Sequence, residues 1–316
     1  MDLLKLVKSK SEAFSDTNSY LGLQSVMSHI GIAERHLKNG KNGDDYFFTD
    51  VIYRTNQAFE GALKEAYAVL SGKDPEKKSP YQIEEYLERK DLLEERVLSL
   101  FSNYRVNWRN KSTHDYKLYF SEQEAFLAIV NIYAFFNILL DQMLEKLAYE
   151  SEKEKLGNVS KIISDEYLKN SFIDQVVELL TKFAIELPPK TFSEAPHLYE
   201  RELIGMLAAF LNVADPHLDV VTEFALPMGS GRVGRIDMRI SRDNQIVVVE
   251  LKLPSVNISL RRKQGVEQLF AYMAASNVDK GILFIPPSSA QQEMRVERMT
   301  TMGSSTIIEI YPKSID

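Results

Sequence analysis

Hydrophobic positions from Asn18 to about Glu150 recur at helical spacing, and four long segments carry the pattern: Tyr20–Lys38, Asp45–Leu70, Tyr81–Phe101 and Glu122–Leu147. Turns fall at Asn39-Gly-Lys-Asn-Gly43 and Ser71-Gly-Lys-Asp-Pro75, where glycine and proline end helices. Strand signals are absent from this half, and four or five helices with short connections predict an antiparallel bundle. A charged stretch, Glu150–Asn158, predicts a solvated connector, and an amphipathic helix over Ser164–Phe183 predicts a bridge between modules. Beyond Pro188-Pro189 the period changes. Short apolar or alternating runs at Val220–Leu226, Arg235–Ile240, Ile246–Leu253, Gly281–Ile285 and Ser305–Tyr311 predict strands. Helical spacing at His197–Asn212, Ser259–Tyr272 and the charged segment Ser289–Thr301 predicts helices around them. The expected fold class is an N-terminal all-α bundle followed by an α/β domain with a mixed central sheet. The expected division is 1–150 for the bundle, 151–190 for a helical linker and 191–316 for the α/β domain.

A chain of 316 residues fits two domains, and 44% hydrophobic with 26% charged residues is the balance of an ordinary globular protein. Cysteine is absent, so disulfides play no part. The start, Met1-Asp-Leu-Leu-Lys5, lacks a basic region followed by a long apolar stretch, and the expectation is a cytoplasmic protein. The longest apolar segment, Ala125–Leu140, is interrupted by Asn131 and Asn137 and predicts a buried helix rather than a membrane span.

The chemistry concentrates in one predicted hairpin. Arg235-Ile-Asp-Met-Arg-Ile240 precedes Ile246-Val-Val-Val-Glu-Leu-Lys252, and side chains two apart on a strand share a face, so Glu250 and Lys252 point the same way. A two-residue turn at Asp243-Asn244 would pair Arg242 with Gln245 and set Asp237 opposite Glu250. The same register sets Ile236, Met238 and Ile240 against Leu251, Val249 and Val247 on an apolar face. Two carboxylates on a rigid sheet suit Mg²⁺, or Mn²⁺, with Asp237 and Glu250 as ligands and Lys252 beside the attacking water. An isolated Glu-x-Lys is usually a solvated surface pair. Here the glutamate lies inside an apolar run, where a charge is expensive without a task.

Downstream, Gln264, Gln268 and Tyr272 form a polar stripe at successive i,i+4 positions of the predicted helix. Asp237, Glu250, Lys252, Gln268 and Tyr272 together resemble the PD-(D/E)xK nuclease superfamily, in which an Asp, a Glu-x-Lys and a Gln-bearing helix line the site. Ile236 stands where the family motif has proline. The resemblance covers the C-terminal third to two-fifths of the chain and implies a metal-dependent endonuclease, with DNA rather than RNA as the expected substrate. It also implies an acidic residue on the helix before the sheet. Glu200 lies about 60° and Glu202 about 100° from the centre of the apolar stripe Leu203, Met206, Leu207 and Phe210, which favours Glu200 as the further metal ligand.

The chain carries net charge −7, so a uniformly basic nucleic-acid surface is excluded. Local basic groups remain at Arg232, Arg235, Arg239 and Arg242 and in Arg261-Arg-Lys263. In the helical half, Tyr104-Arg-Val-Asn-Trp-Arg-Asn-Lys-Ser-Thr-His-Asp115 holds Arg109, Asn110 and His114, and resembles the Arg-x4-6-His signature of HEPN domains. That resemblance implies a homodimer through the helices and a second, metal-free RNase centre with Arg109 and His114 as catalytic groups. On a continuous helix these two would lie about 140° apart, so the helix must end between them, with Ser112-Thr113 as the break. Paired with the nuclease-like half, the module implies a prokaryotic anti-phage or anti-plasmid defence effector. The alternative is a metal-independent HEPN RNase whose C-terminal domain binds nucleic acid or senses a partner.

Overall fold

The computed structural model describes residues 3–110, 119–157, 163, 166–186, 196–228, 233–255, 257–288, 292–300 and 305–313. The chain divides into two compact units, Met1–Leu147 and Ala148–Asp316. A helical N-terminal part is followed by a region built on a mixed six-stranded sheet.

The first unit holds α1 (Leu3–Glu12), α2 (Tyr20–Lys41), α3 (Tyr46–Ser71), α4 (Pro80–Arg89), α5 (Glu95–Tyr104) and most of α6 (Glu122–Leu156). Helix α3 shows why these segments are helices. Its buried residues Val51, Ile52, Thr55, Ala58, Phe59, Ala62, Leu63, Ala66, Tyr67 and Leu70 fall at spacings of three and four, so one face meets the core. Gly72 ends it in the left-handed conformation (φ 66°), donating its N–H to Ala68 O. The helix expected over Tyr81–Phe101 is two helices. Ser79, Pro80 and Gln82 start α4 with a capping box. The chain then leaves the helix near Asp91, which adopts φ 51°, before α5 begins.

Helix α5 runs into a π-helical turn, Arg105–Arg109, closed by Asn110 N–H to Arg105 O. By length and composition α6 could cross a membrane, but most of its apolar window is buried within the structure. Ala128, Ile132, Phe135, Phe136, Leu139 and Leu140 carry that burial.

The second unit contains α7 (Phe172–Glu186), α8 (Pro196–Ala214), β1 (Asp219–Pro227), β2 (Val233–Arg242), β3 (Gln245–Leu251), α9 (Ile258–Ser276), β4 (Lys280–Phe284), β5 (Met294–Thr300) and β6 (Thr306–Pro312). The strand order is β1-β2-β3-β4-β6-β5, with β3, β4 and β6 parallel and the other neighbours antiparallel. Helices cover both faces. Leu179 and Val176 of α7 and Leu207 and Leu211 of α8 pack with Met238, Val247, Val249 and Ile282 on one face. On the other, Leu269 and Met273 of α9 pack with Ile236, Val248 and Leu283. This double cover explains the near-continuous apolar character of Ile246–Leu251, since a strand buried on both sides has no polar face to alternate. Helix α7, expected as a bridge, contributes to this core, and helical structure extends through Leu156 where a connector was expected.

One predicted element is of the wrong type. Met294–Thr300, inside the segment expected as a helix, is a strand paired antiparallel with β6 along its whole length. Its charges misled the helical reading. They suit an edge strand, where Arg295, Glu297 and Arg298 discourage pairing with further chains.

Candidate active site

The hairpin forms in the expected register. Arg242 pairs with Gln245 and Met238 with Val249 around a turn whose first residue, Asp243, takes φ 53°, as such tight turns require. The ladder ends at Met238↔Val249, one step before the expected pairing of Asp237 with Glu250. The carboxylate Oδ2 of Asp237 accepts the Leu251 backbone N–H at 2.7 Å.

The apolar face was expected to continue to Ile236, but it does not. Met238 and Ile240 enter the core under α7 and α8, whereas Ile236 enters the core under α9. Strand β1 switches in the same way, with Val220 on the first side and Phe224 and Leu226 on the second. Its register with β2 is the same on either side, Thr222↔Met238 and Phe224↔Ile236, but the ladder skips the position between them. The residue between them, Glu223, has φ 51°, a left-handed conformation that glutamate adopts only at a cost. Strands β1 and β2 therefore reverse their faces at Glu223 and Asp237, whereas β3 keeps regular alternation, with Val247, Val249 and Leu251 on one side and Val248 on the other.

Glu250 is fully buried, on the side of β3 that faces α9. Lys252 Nζ donates to Glu250 Oε1 at 2.5 Å and to Gln268 Oε1 at 2.9 Å, and Gln268 Nε2 donates to Tyr272 Oη at 2.8 Å. Four predicted residues thus form one chain of hydrogen bonds. Close helix–sheet packing makes this reach possible. A Cβ on Gly265 would lie 2.5 Å from Leu283 Cδ1, and one on Gly281 would lie 2.6 Å from Met273 Sδ, so α9 rests directly on β4. Gly234 does the same for Tyr272, whose ring would be 2.9 Å from an added Cβ.

The electrostatics follow from the burial. Desolvation, then the charge of Glu250, pushes the Asp237 carboxyl well above its ordinary range, against the pull of the Leu251 N–H and Lys252. Desolvation pushes Glu250 up to about 7 despite Lys252, with Glu200 and Glu223 adding repulsion. Glu250 Oε2 is buried without a hydrogen-bond partner. The acidic set therefore exceeds the one ammonium that faces it, and an orphaned carboxylate oxygen with this surplus fits a divalent cation. Among the described residues, no three or more His, Asp or Glu side chains are already gathered around a common point as a metal group.

Glu200 of α8 is near enough for its charge to act on both Asp237 and Glu250, whereas Glu202 acts on Tyr199. Not all the expected cations remain available. Arg242 is bound to Asp215 at 2.7 Å and to Gln175, and Arg262 is bound to Glu309 and Glu297 and stacks 3.7 Å over Tyr311. Arg239 lies beside Asp219 and over Phe224. Arg261 and Lys263 are exposed. The pair that sequence reasoning missed is Arg201–Glu223, 2.6 Å apart and largely buried. No periodicity marks a left-handed glutamate in a strand.

In the first unit, Arg109 lies 3.6 Å from Glu60 and 3.9 Å from Glu84, and donates to Asn110 Oδ1 at 3.2 Å. Burial raises the Glu84 carboxyl against the pull of Arg109 and Arg105. His114, the Ser112-Thr113 break, Arg232 and Pro188-Pro189 lie outside the described residues. The chain matches no protein-family profile and no curated protein.

Proposed function

We propose that the second unit is a metal-dependent nuclease of the PD-(D/E)xK type that hydrolyses phosphodiester bonds of DNA. The observation that carries this reading is that Lys252 joins Glu250 to Gln268 next to the Asp237 carboxylate held at Leu251, while the second oxygen of Glu250 is buried without a partner. Asp237, Glu250 and Glu200 would hold Mg²⁺ or Mn²⁺, both hard enough to favour carboxylate oxygen. A cation bound there supplies Lewis-acid activation of water and neutralises charge on the scissile phosphate.

The remaining work belongs to the side chains. An ammonium has three N–H donors, and two of those on Lys252 are engaged by Glu250 and Gln268. Its third N–H can orient a water or a phosphate oxygen. Gln268, itself held by Tyr272, fixes the ammonium, while the apolar cores on both faces keep the strands rigid. We place the protein in the cytoplasm, acting as a homodimer through the helical unit in defence against phage or plasmid DNA.

The helical unit is read as a HEPN-like module without its own required role in DNA cleavage, because Arg109 is set among the acidic groups Glu60 and Glu84. The test is incubation of the full chain with labelled single- and double-stranded DNA and RNA in Mg²⁺, Mn²⁺ or EDTA. Cleavage is expected with metal and is lost in Asp237→Asn, Glu250→Gln and Lys252→Met. Undiminished activity in all three variants refutes the assignment. RNA cleavage in EDTA, lost on His114→Ala and retained in Glu250→Gln, selects the HEPN site instead.

A further inference from the structure

Glu223 and Arg201 lie beside the acidic cluster without belonging to the motif that identifies it. Glu223 is the β1 residue at the register position of Asp237, between the pairs Thr222↔Met238 and Phe224↔Ile236. Its side chain is 8% exposed, and its Oε1 lies 2.6 Å from Arg201 Nη1, whose own side chain is 14% exposed. Arg201 follows Glu200 directly on α8, so the ion pair ties the turn that carries Glu200 to the point where β1 reverses its faces.

Two further observations give the pair a purpose beyond packing. A left-handed glutamate costs on the order of 1 kcal/mol where glycine would not, yet here the residue keeps both a side chain and a buried charge. The tether is also placed where the requirement is greatest, since Glu200 comes from a helix while Asp237 and Glu250 come from the sheet. A helix-borne ligand can drift relative to a sheet-borne one unless something joins the two elements near the site. The charged heads of Arg201 and Glu223 join them within one residue of Glu200.

We propose that the Arg201–Glu223 ion pair is a positioning clamp that fixes Glu200 within reach of the site of Asp237 and Glu250, and so sets the affinity of that site for its divalent cation. This inference rests on the nuclease reading, but its predicted failure differs. If Glu223 acts through Glu200, removing its charge has no further effect once Glu200 has been neutralised.

The experiment is a calorimetric titration of Mn²⁺ into the full-length protein, wild type and variants, with thermal unfolding in EDTA as a check on folding. Wild type is expected to bind Mn²⁺, and Asp237→Asn to lose binding. Glu223→Gln weakens binding about tenfold, the effect of a coupling near 1.4 kcal/mol. Arg201→Lys, which keeps the charge, stays near wild type. The double variant Glu200→Gln/Glu223→Gln binds no more weakly than Glu200→Gln alone. Wild-type affinity in Glu223→Gln, or additive losses in the double variant, overturns the clamp while leaving the nuclease reading intact. Absence of Mn²⁺ binding by wild type overturns both. Loss of the folded state in Glu223→Gln shifts the test to Glu223→Gly, which the left-handed backbone accommodates. The expected Mn²⁺ affinity and the same two overturning results apply to it.

Discussion

Glu250→Gln distinguishes a carboxylate held in readiness for a cation from one that merely completes an ion pair. Glu250 is fully buried and its carboxyl is pushed from 4.5 to about 7. A native value above the unfolded one means that the folded chain holds the proton more tightly. Its contribution to stability is therefore full below about pH 4.5 and is lost as the pH rises to about 7. At about 1.4 kcal/mol per pH unit, that span sets a ceiling of about 3 kcal/mol on the penalty above neutrality. Glutamine is never charged and escapes the penalty. The value of about 7 already includes the pull of Lys252, and the glutamine amide oxygen keeps a weaker, neutral form of that hydrogen bond. The net expectation in EDTA at about pH 8 is a variant more stable than wild type by roughly 1–3 kcal/mol, with little gain at about pH 5. Mg²⁺ removes most or all of that advantage, because a ligand at about a hundred times its Kd adds about 2.7 kcal/mol to the form that binds it. Scanning calorimetry at both pH values, with and without Mg²⁺, reads all four conditions. A variant less stable than wild type by the same amount at both pH values in EDTA, with no effect of Mg²⁺ on either protein, refutes the reasoning.

Lys252→Met should reduce cleavage by roughly 10²–10⁴-fold, the usual contribution of a positioned proton-transfer group, as measured by single-turnover kinetics. Gly281→Leu drives a side chain into Met273 and Leu269 and should cost about 1–3 kcal/mol in a urea titration. It should also separate Gln268 from Lys252, so that activity falls further than stability alone explains. Two exposed cations, Arg261 and Lys263, stand at the start of α9, and a footprint of about two phosphates predicts an affinity loss of only about tenfold between roughly 50 and 200 mM salt. Fluorescence anisotropy of labelled DNA, measured with a metal-binding variant that cannot cleave, gives the slope.

The parts legible in the sequence were those governed by local periodicity. The turn at Asp243-Asn244 and the pairing of Arg242 with Gln245 followed from tight-turn chemistry, and the stripe Gln268, Tyr272 followed from helical spacing. Where the outcome depended on neighbours distant in sequence, pattern reasoning failed. Met294–Thr300 has no strong alternation of its own, and it is a strand because β6 offers it an edge. The arginines at 242 and 262 read as phosphate contacts, yet each is matched by an acid from another element, Asp215 and Glu309 respectively. A linear sequence shows the charge and leaves its partner hidden.

The face reversal at Glu223 and Asp237 joins the largest error of register reasoning to the proposed chemistry. Strict alternation along β2 would place Asp237 opposite in sense to both neighbours, Ile236 and Met238, with those two on one side. Instead the neighbours lie in different cores, one under α9 and one under α7 and α8. At such a crossover the chain cannot complete a regular ladder, and a backbone donor is left for a side chain to meet. Leu251 N–H is that donor, and the Asp237 carboxylate accepts it. The hydrogen bond holds one oxygen of Asp237 against β3 beside Glu250, where a regular strand would have made a backbone pair. On this account the reversal and the acidic site are one feature. Glu223→Gly should therefore preserve the reversal, since it preserves the left-handed backbone, whereas Glu223→Val should disturb it, because a β-branched residue resists positive φ. Hydrogen exchange at the Leu251 amide distinguishes the two. Protection retained in the glycine variant and lost in the valine variant is the expected result, and equal protection in both contradicts the link between backbone reversal and the placement of Asp237.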